Sequence, residues 1–212
     1  ERLLTEAEES AYEALSAESA LVTPNADEAA GRTDIEPNDE TSARGAGEAL
    51  VEMGADAALV KGGHMPGDAV LDVLVTTDSV ETATHPRIGT DATHGSGCTL
   101  SSAVATRLAR GASMSEAVDR SVAFMERAVR YHHDSGSGPG AVHHLVGLRN
   151  EAAREPTVDA LDSALDRLDQ ADLGSFALPA GANIAAATPY AETVDETAAV
   201  EGGLDIVDGR IR

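Results

Sequence analysis

The sequence is short of cysteine, aromatic residues and long apolar runs, and each shortage limits the kind of protein that it can form. A single cysteine, Cys98, excludes an internal disulfide framework. No apolar run approaches the ~18 residues of a membrane-spanning helix, and we therefore expect a cytoplasmic protein without membrane contacts. Tryptophan is absent, and there are only two Phe and three Tyr, so the core must be built from Ala, Val and Leu.

Basic residues are also scarce. Lys and Arg number 15 against 37 Asp and Glu, which gives a formal net charge of −22. This balance argues against binding DNA, RNA or anionic membranes, because those partners require a basic surface. The acid is spread along the whole chain, and Lys61 is the only lysine. This composition favours a halophilic, salt-accumulating archaeon as the source; the alternative is an ordinary acidic protein from a GC-rich genome.

Apolar periodicity predicts an alternation of helices and strands. The predicted helices cover residues 1–17, 41–53, 99–110, 113–133 and 157–171. Thr41 is the expected N-cap of the second helix. Short apolar runs predict buried strands over 20–23 and 57–60, and a hairpin formed by 70–76 and 80–85. A strand, a helix and a strand in this order form a parallel, right-handed βαβ unit, so the sequence predicts the α/β class.

The pattern changes near Arg149, where we place the domain boundary. We predict a first domain over residues 1–149 and part of a second α/β domain over residues 155–212. The chain opens without Met inside a helical pattern and ends at Arg212. We therefore expect a fragment that is cut at both ends.

The strongest chemical motif is a glycine-rich turn before a predicted helix, Gly95-Ser96-Gly97-Cys98. Glycines let backbone amides converge, and the helix start adds its dipole, so together they can cradle a transferred phosphoryl group. Cys98 would lie in the first helical turn, where it can accept a proton from a substrate hydroxyl or hold that hydroxyl. The alternatives are a loop that merely enters a helix and a cysteine that acts as a small apolar residue.

Two further motifs follow predicted strands. Asn25 and Glu28 have the i, i+3 spacing that points an amide oxygen and a carboxylate to one place, as Mg²⁺ requires. The alternative is an Asn N-cap with a first-turn Glu. Lys61 lies at the exit of the next strand, where α/β sheets bind ligands. A phosphate contact is the simplest reason for the only lysine to stand there; the alternative is a surface lysine.

These motifs occur in the same order in hydroxymethylpyrimidine (phosphate) kinases, and the chain resembles the C-terminal half of that family. The matching segments read Asn25-Ala-Asp-Glu28, Lys61-Gly-Gly-His64 and Thr93-His-Gly-Ser-Gly-Cys-Thr-Leu-Ser101. Most ribokinase-like sugar kinases carry Asp at the position of Cys98, whereas pyrimidine kinases and a subset of pyridoxal kinases carry Cys. The resemblance implies a ribokinase-like three-layer sandwich with a mainly parallel sheet, here truncated at its N-terminus.

The resemblance also implies an activity, the ATP-dependent phosphorylation of hydroxymethylpyrimidine and its monophosphate in thiamine biosynthesis. ATP and Mg²⁺ are the implied cofactors, and the small-molecule pyrimidine is the implied partner. The site residues carried over by position fall into three groups: Asn25 and Glu28 for Mg²⁺; Lys61, Thr93 and Ser96 for ATP; and Gly95, Gly97 and Cys98 for catalysis.

From Glu155 onward the chain is similar to the ThiN-type thiamine-phosphate synthase domain, through residues 178–185, 187–192 and 200–211. This similarity implies a bifunctional parent enzyme. Two alternatives stay open: a pyridoxal kinase of the Cys-bearing type, and a catalytically inactive fragment, because the family's pyrimidine pocket lies upstream of Glu1. The oligomeric state is also open, with a homodimer as one option.

Overall fold

The chain folds as two units, Glu1–Val142 and His143–Arg212. The computed structural model describes residues 5–65, 67–133, 137–171, 183–204, 206–207 and 210–211. The division falls before Arg149, where the sequence predicts the boundary, and Arg149 itself lies inside a helix of the second unit.

The first unit follows the predicted alternation of helices and strands. Its elements are α1 (Glu6–Ala17), α2 (Ala26–Thr33), α3 (Glu40–Glu52), β1 (Ala57–Val60), β2 (Ala69–Thr76), β3 (Val80–Pro86), α4 (Ser96–Ala109) and α5 (Met114–Arg130), with a 3-10 turn at Gly62–His64. The apolar spacing does not predict α2, because this short helix starts from a polar capping segment. Among the described residues, no helix is both long and apolar enough to cross a membrane.

The sheet combines antiparallel and parallel pairing. β1, β2 and β3 are antiparallel neighbours in that order, which confirms the predicted hairpin. Residues 19–25 run parallel to β1: the amide of Val22 donates to the carbonyl of Ala57 (3.0 Å), and the amide of Leu59 donates to the carbonyl of Val22 (2.8 Å). The α/β class is confirmed, and residues 19–25 pair parallel with β1 as expected. The strand predicted over 20–23 forms only isolated bridges, however, and strands β1 to β3 pair antiparallel where a mainly parallel sheet was expected.

Helices cover both faces of this sheet. One face packs against α2 and α3 and forms a core of small and aliphatic side chains, namely Ala26, Ala29, Ala43, Ala46, Leu50, Ala58, Val60, Met65, Val73 and Val75. Because side chains alternate along a strand, Val70 and Asp72 of β2 face the other way, where they line a pocket with residues of α4 and α5. The first unit therefore has three layers, with the sheet in the middle.

Side-chain caps set where two helices begin. Thr5 caps α1 and accepts a hydrogen bond from the amide of Glu8, so α1 starts at Glu6. Residues 1–4 of the predicted helix lie outside the described residues. Asp39 caps α3 by accepting from the amide of Ser42 at 2.8 Å. The prediction of Thr41 as the N-cap is therefore wrong, because Asp39 lies two residues earlier and satisfies the first-turn amide.

Two further helix limits differ from the prediction. α4 begins at Ser96 and not at Thr99, because Gly95 already acts as its N-cap. α5 ends at Arg130 and not near His133, because Tyr131 departs from helical backbone angles, with ψ of 34°. Such shifts at helix ends are small and leave the predicted order of elements intact.

The second unit is smaller. It contains α6 (Val146–Ala152), α7 (Arg154–Asp169), β4 (Ala185–Ala187), a 3-10 turn (Val194–Glu196), β5 (Thr197–Ala199), β6 (Ile206–Val207) and β7 (Arg210–Ile211). β4 pairs antiparallel with β5, and β6 with β7. The buried side chain of Asn150 donates to Glu196 and accepts from the amide of Tyr190 (3.1 Å). α7 corresponds to the helix predicted over 157–171, and residues 178–182 of the synthase-like segment lie outside the described residues.

Replacing Gly47 with Ala tests the contact between α3 and the sheet. A Cβ at Gly47 would lie 2.5 Å from Cγ2 of buried Val75, so we expect the free energy of unfolding to fall by about 1–3 kcal/mol through overpacking. Gly45 of the same helix is the matched control, because its nearest neighbour would be Cδ1 of Ile35 at 3.9 Å. Gly45→Ala should raise the stability by about 0.5–1 kcal/mol. Urea denaturation of both variants measures the difference, and an equal response would contradict the close packing at Gly47.

Candidate functional site

The glycine-rich turn starts α4 in the manner that the sequence predicts. Gly95 is the N-cap and has a left-handed backbone, with φ of 80°, which costs an L-residue about 1–2 kcal/mol. The amide of Ser96 donates to the carbonyl of Thr93 (3.1 Å), and the amide of Thr99 donates to the carbonyl of Gly95 (2.9 Å). The amides of Gly97 and Cys98 lie between these two and belong to the first turn, whose amides have no partner within a helix. They are therefore the donors that can receive an anion.

Three chain segments meet at this turn. The amide of Lys61, just after β1, donates to the carbonyl of Pro24 (2.9 Å). The hydroxyls of Thr23 and Ser101 lie 2.7 Å apart, which joins the parallel segment to α4. The Nζ atom of Lys61 lies 3.1 Å from the position that a Cβ of Gly97 would take. The ammonium group is thus placed directly at the helix start.

Asn25 and Glu28 form a reciprocal capping box at the start of α2. Oδ1 of Asn25 accepts from the amide of Glu28, and Oε2 of Glu28 accepts from the amide of Asn25, both at 2.8 Å. The capping alternative is therefore present in the structure. Both side chains also line the pocket that Lys61 lines, and Oε1 of Glu28 takes no part in the capping box. A magnesium role for the pair stays a prediction.

A pocket of about 320 Å³ opens beside the turn. Its polar end is formed by six of the predicted site residues: Asn25, Glu28, Lys61, Thr93, Ser96 and Gly97. Its apolar wall comes from β2, the end of β3 and the segment after it, α4 and α5: Val70, Pro86, Ile88, Leu100, Met125 and Val129. The pocket can therefore hold an apolar ring at one end and charged groups at the other.

A second pocket of about 820 Å³ adjoins the first, and Glu28, Lys61 and Gly97 line both pockets. The exposed Cys98 lines the second pocket, together with Tyr12 of α1. Gly95 is not among the residues that line either pocket; it shapes the turn. Of the predicted site residues, Glu28, Lys61 and Gly97 thus lie at the border between the two pockets, and Cys98 lines the second.

In the part of the chain that the structure describes, no group of three or more His, Cys, Asp or Glu side chains is arranged to hold a metal ion. A cation at this site would therefore need oxygens from other sources, such as an amide, water or a phosphate, which is how Mg²⁺ is usually held beside nucleotides. The polar end of the first pocket offers an amide and a carboxylate for that purpose, from Asn25 and Glu28.

Sequence reasoning missed the pairing of His85 with Asp72, a buried carboxylate that also binds the backbone just after Lys61. Asp72 of β2 is only 5% exposed. Its Oδ1 accepts from the amide of Gly62 (2.8 Å), and its Oδ2 lies 3.4 Å from Nε2 of His85. The hydrogen bond that His85 donates to Asp72 raises the pKa of His85 above its ordinary value and outweighs the lowering by burial; the charges of Asp72 and Glu126 and the Pro86 backbone add to the rise. The available signal was a lone carboxylate within the apolar run of β2.

Arg87 was also missed. Its guanidinium donates to the carbonyls of Gly63 (2.7 Å), Met65 (2.7 Å) and Gly67 (2.8 Å). One side chain thus gathers the backbone of the loop that follows Lys61. No sequence motif announces this contact, because the acceptors are main-chain oxygens.

Comparison with known proteins gives one family. Residues 1–143 match the family described as "Phosphomethylpyrimidine kinase". The chain is similar to the hydroxymethylpyrimidine/phosphomethylpyrimidine kinase of Streptomyces coelicolor, with 41% identity over 124 residues, which is 58% of this chain and 46% of that protein. It is also similar to the thiamine biosynthesis bifunctional protein ThiED of Geobacter sulfurreducens, with 38% identity over 61% of this chain and 26% of that protein.

A similar solved structure is an ADP complex of Bacillus subtilis pyridoxal kinase. Its TM-score is 0.65 at 26% sequence identity, and the match covers 69% of this chain and 58% of that one. The chain spans about half the length of the Streptomyces kinase and about a quarter of the Geobacter protein.

The pair of His85 and Asp72 predicts a pH dependence. Because the pKa of His85 is raised in the folded state, the stabilisation by this pair is fully present below the unfolded-state pKa and is lost as pH rises through the folded-state pKa. We expect an NMR titration of the imidazole to give a pKa above that of a free histidine, and Asp72→Asn to lower it. Asp78→Asn, at the exposed turn after β2, is the control. An imidazole that titrates identically in all three proteins would contradict the pairing.

Proposed function

The chain belongs to the phosphomethylpyrimidine kinase family, and from this premise we propose that its parent protein phosphorylates hydroxymethylpyrimidine and its monophosphate with ATP in thiamine biosynthesis. The family match covers residues 1–143. Because the chain spans about half the length of its kinase relative from Streptomyces, activity, substrate and partners are proposed for the whole protein.

The observation that carries this proposal is the border position of Lys61 and Gly97. A phosphoryl transfer needs a donor on one side of the moving group, an acceptor on the other, and fixed positive charge between them. The two pockets supply the two sides, and Lys61 with the first amides of α4 supplies the charge.

The first pocket fits the nucleotide. Its apolar wall suits the base, and its polar end, with Thr93 and Ser96 beside Lys61, suits the phosphates. Bound Mg²⁺ would neutralise phosphate charge, and Asn25 and Glu28 are the residues that would hold it, directly or through water. The ADP complex of the Bacillus pyridoxal kinase supports a nucleotide in this fold.

The second pocket fits the acceptor. An acceptor hydroxyl beside Cys98 attacks the γ-phosphorus while the bond to the β-phosphate oxygen breaks and ADP leaves. Cys98 holds this hydroxyl or takes its proton, and the amides of Gly97 and Cys98 stabilise the charge on the transferred group. The departing charge stays on ADP, next to Lys61.

A pyridoxal kinase of the Cys-bearing type is the second candidate, favoured by the structural match to the Bacillus enzyme. The identity to that enzyme is 26%, against 41% to the Streptomyces pyrimidine kinase, so we place the pyrimidine first. A catalytically inactive fragment is the third candidate, supported by the partial length of the match.

For the second unit we propose the start of a ThiN-type thiamine-phosphate synthase domain. The bifunctional thiamine-biosynthesis relative from Geobacter supports joining two activities of this pathway in one chain. We also propose a cytoplasm rich in salt as the working environment, because a net charge of −22 repels itself less strongly when it is screened.

Turnover with competing substrates tests the assignment. We expect the polypeptide, as the cell makes it, to convert ATP to ADP with hydroxymethylpyrimidine and its monophosphate at a kcat/KM at least tenfold above that with pyridoxal. Coupled ADP detection measures both. A preference for pyridoxal would transfer the assignment to the second candidate, and absence of turnover with either would favour the inactive fragment.

Cys98→Ala tests the acceptor side. Removing a group that holds or deprotonates the acceptor hydroxyl should lower kcat by about 10²–10⁴-fold, with little change in the KM for ATP, because the thiol faces the second pocket. Ser102→Ala, one turn further along α4 and exposed, is the matched control and should retain its rate. An unchanged kcat in Cys98→Ala would remove this thiol from the mechanism.

A further inference from the structure

Asp72 is a buried carboxylate in the interior of β2, and its negative charge is compensated by the amide of Gly62 and the imidazole of His85. Among the residues whose burial the structure describes, it is the only buried Asp or Glu. A carboxylate in a strand interior is unfavourable unless it is paired and hydrogen-bonded. Of its two partners, the imidazole of His85 lines the first pocket, and the amide of Gly62 belongs to the residue that follows Lys61 in the chain.

The amides at and after Lys61 are both fixed. The amide of Lys61 donates to the carbonyl of Pro24 (2.9 Å), and the amide of Gly62 donates to Oδ1 of Asp72 (2.8 Å). The first bond ties the lysine to the parallel segment, and the second ties it to β2. Together they set the direction in which the side chain of Lys61 leaves the backbone.

We propose that Asp72, held by His85, is a positioning residue that aims Lys61 at the phosphate groups of the nucleotide. This inference rests on the proposed function, because it assumes that Lys61 contacts phosphate. Asp72 acts through Lys61 and the Gly62 amide, and it does not itself touch the reacting atoms.

The pairing with His85 engages the second carboxylate oxygen of Asp72, which could otherwise form an ion pair with Lys61. His85 lies on the same face as Asp72, two positions along the antiparallel ladder, and presents Nε2 to Oδ2. Asp72 therefore uses one oxygen for the Gly62 amide and the other for the imidazole. The other charged side chains that line this pocket are Glu28, Lys61, Arg87 and Glu126, and Arg87 donates to the carbonyls of Gly63, Met65 and Gly67 of the next loop.

Comparing the binding of ATP with that of adenosine separates a role in positioning Lys61 from a role in the stability of the fold. Adenosine lacks phosphates, so a residue that positions Lys61 affects ATP and leaves adenosine unchanged. We expect Asp72→Leu in the full chain to weaken ATP binding about tenfold, the scale of a lost charge-assisted hydrogen bond, while adenosine affinity stays within twofold. Lys61→Ala sets the largest loss of phosphate affinity, and Asp78→Asn at the exposed hairpin turn is the matched control. Calorimetric titration gives all of these constants.

Because Lys61 is the only lysine, ¹³C-lysine labelling gives a single side-chain signal from the site. In the native chain this signal should move on adding ATP and stay in place on adding adenosine. In Asp72→Leu it should move less at saturating ATP. If Asp72→Leu does not fold, Asp72→Asn, which keeps the shape and removes the charge, provides the test, with an expected loss of about threefold in ATP affinity.

The outcomes distinguish this inference from the proposed function. A native chain that binds ATP no better than adenosine, with a lysine signal that does not move, overturns the proposed function and this inference with it. A native chain that prefers ATP, together with Asp72 variants that keep that preference or weaken both ligands equally, overturns the inference alone. Selective loss of ATP affinity with a displaced lysine signal supports it.

Discussion

The parallel pairing of residues 19–25 with β1 is the constraint on which the site depends. Because the two segments run in the same direction, their carboxyl ends reach the same edge of the sheet, and the hydrogen bond from Lys61 to Pro24 marks that edge. α2 begins immediately after the first segment, and Lys61 immediately follows the second. The start of α2 and Lys61 could not both lie at the start of α4 if the pairing were antiparallel, since the two carboxyl ends would then lie at opposite edges of the sheet.

Local signals were sufficient to predict the glycine-rich turn and the strand exit of the proposed phosphate site. The glycine pair before Cys98 predicts a turn into a helix, and the structure has Gly95 in the left-handed conformation at that helix's start. The same reasoning placed Lys61 at a strand exit, where the structure has it. It could not choose between capping and metal binding for Asn25, because both roles use the same side-chain oxygen. In the structure that oxygen accepts from the amide of Glu28.

The support behind the site lay beyond sequence reasoning for a physical reason. Asp72 and His85 meet only because the register of β2 against β3 places Val70 opposite His85 and Asp72 opposite Ala83. A shift of one residue would turn one of the two side chains to the other face. Arg87 binds carbonyl oxygens, which every residue carries, so its contacts leave no residue-type pattern to read. Local propensity finds elements, whereas such contacts depend on how elements are paired.

The high negative charge of the chain makes it more important that the side chain of Lys61 is held in one direction. In a chain with 37 acidic residues, an unrestrained ammonium group can pair with many carboxylates, and a phosphate would compete with them. A lysine held by its flanking amides, next to helix amides that carry partial positive charge, presents its charge in one direction. The carboxylate of Asp72, which holds the next amide in the chain, is engaged by Gly62 and His85. A buried carboxylate at this place is therefore compatible with anion binding nearby, because the Gly62 amide and His85 already compensate its negative charge.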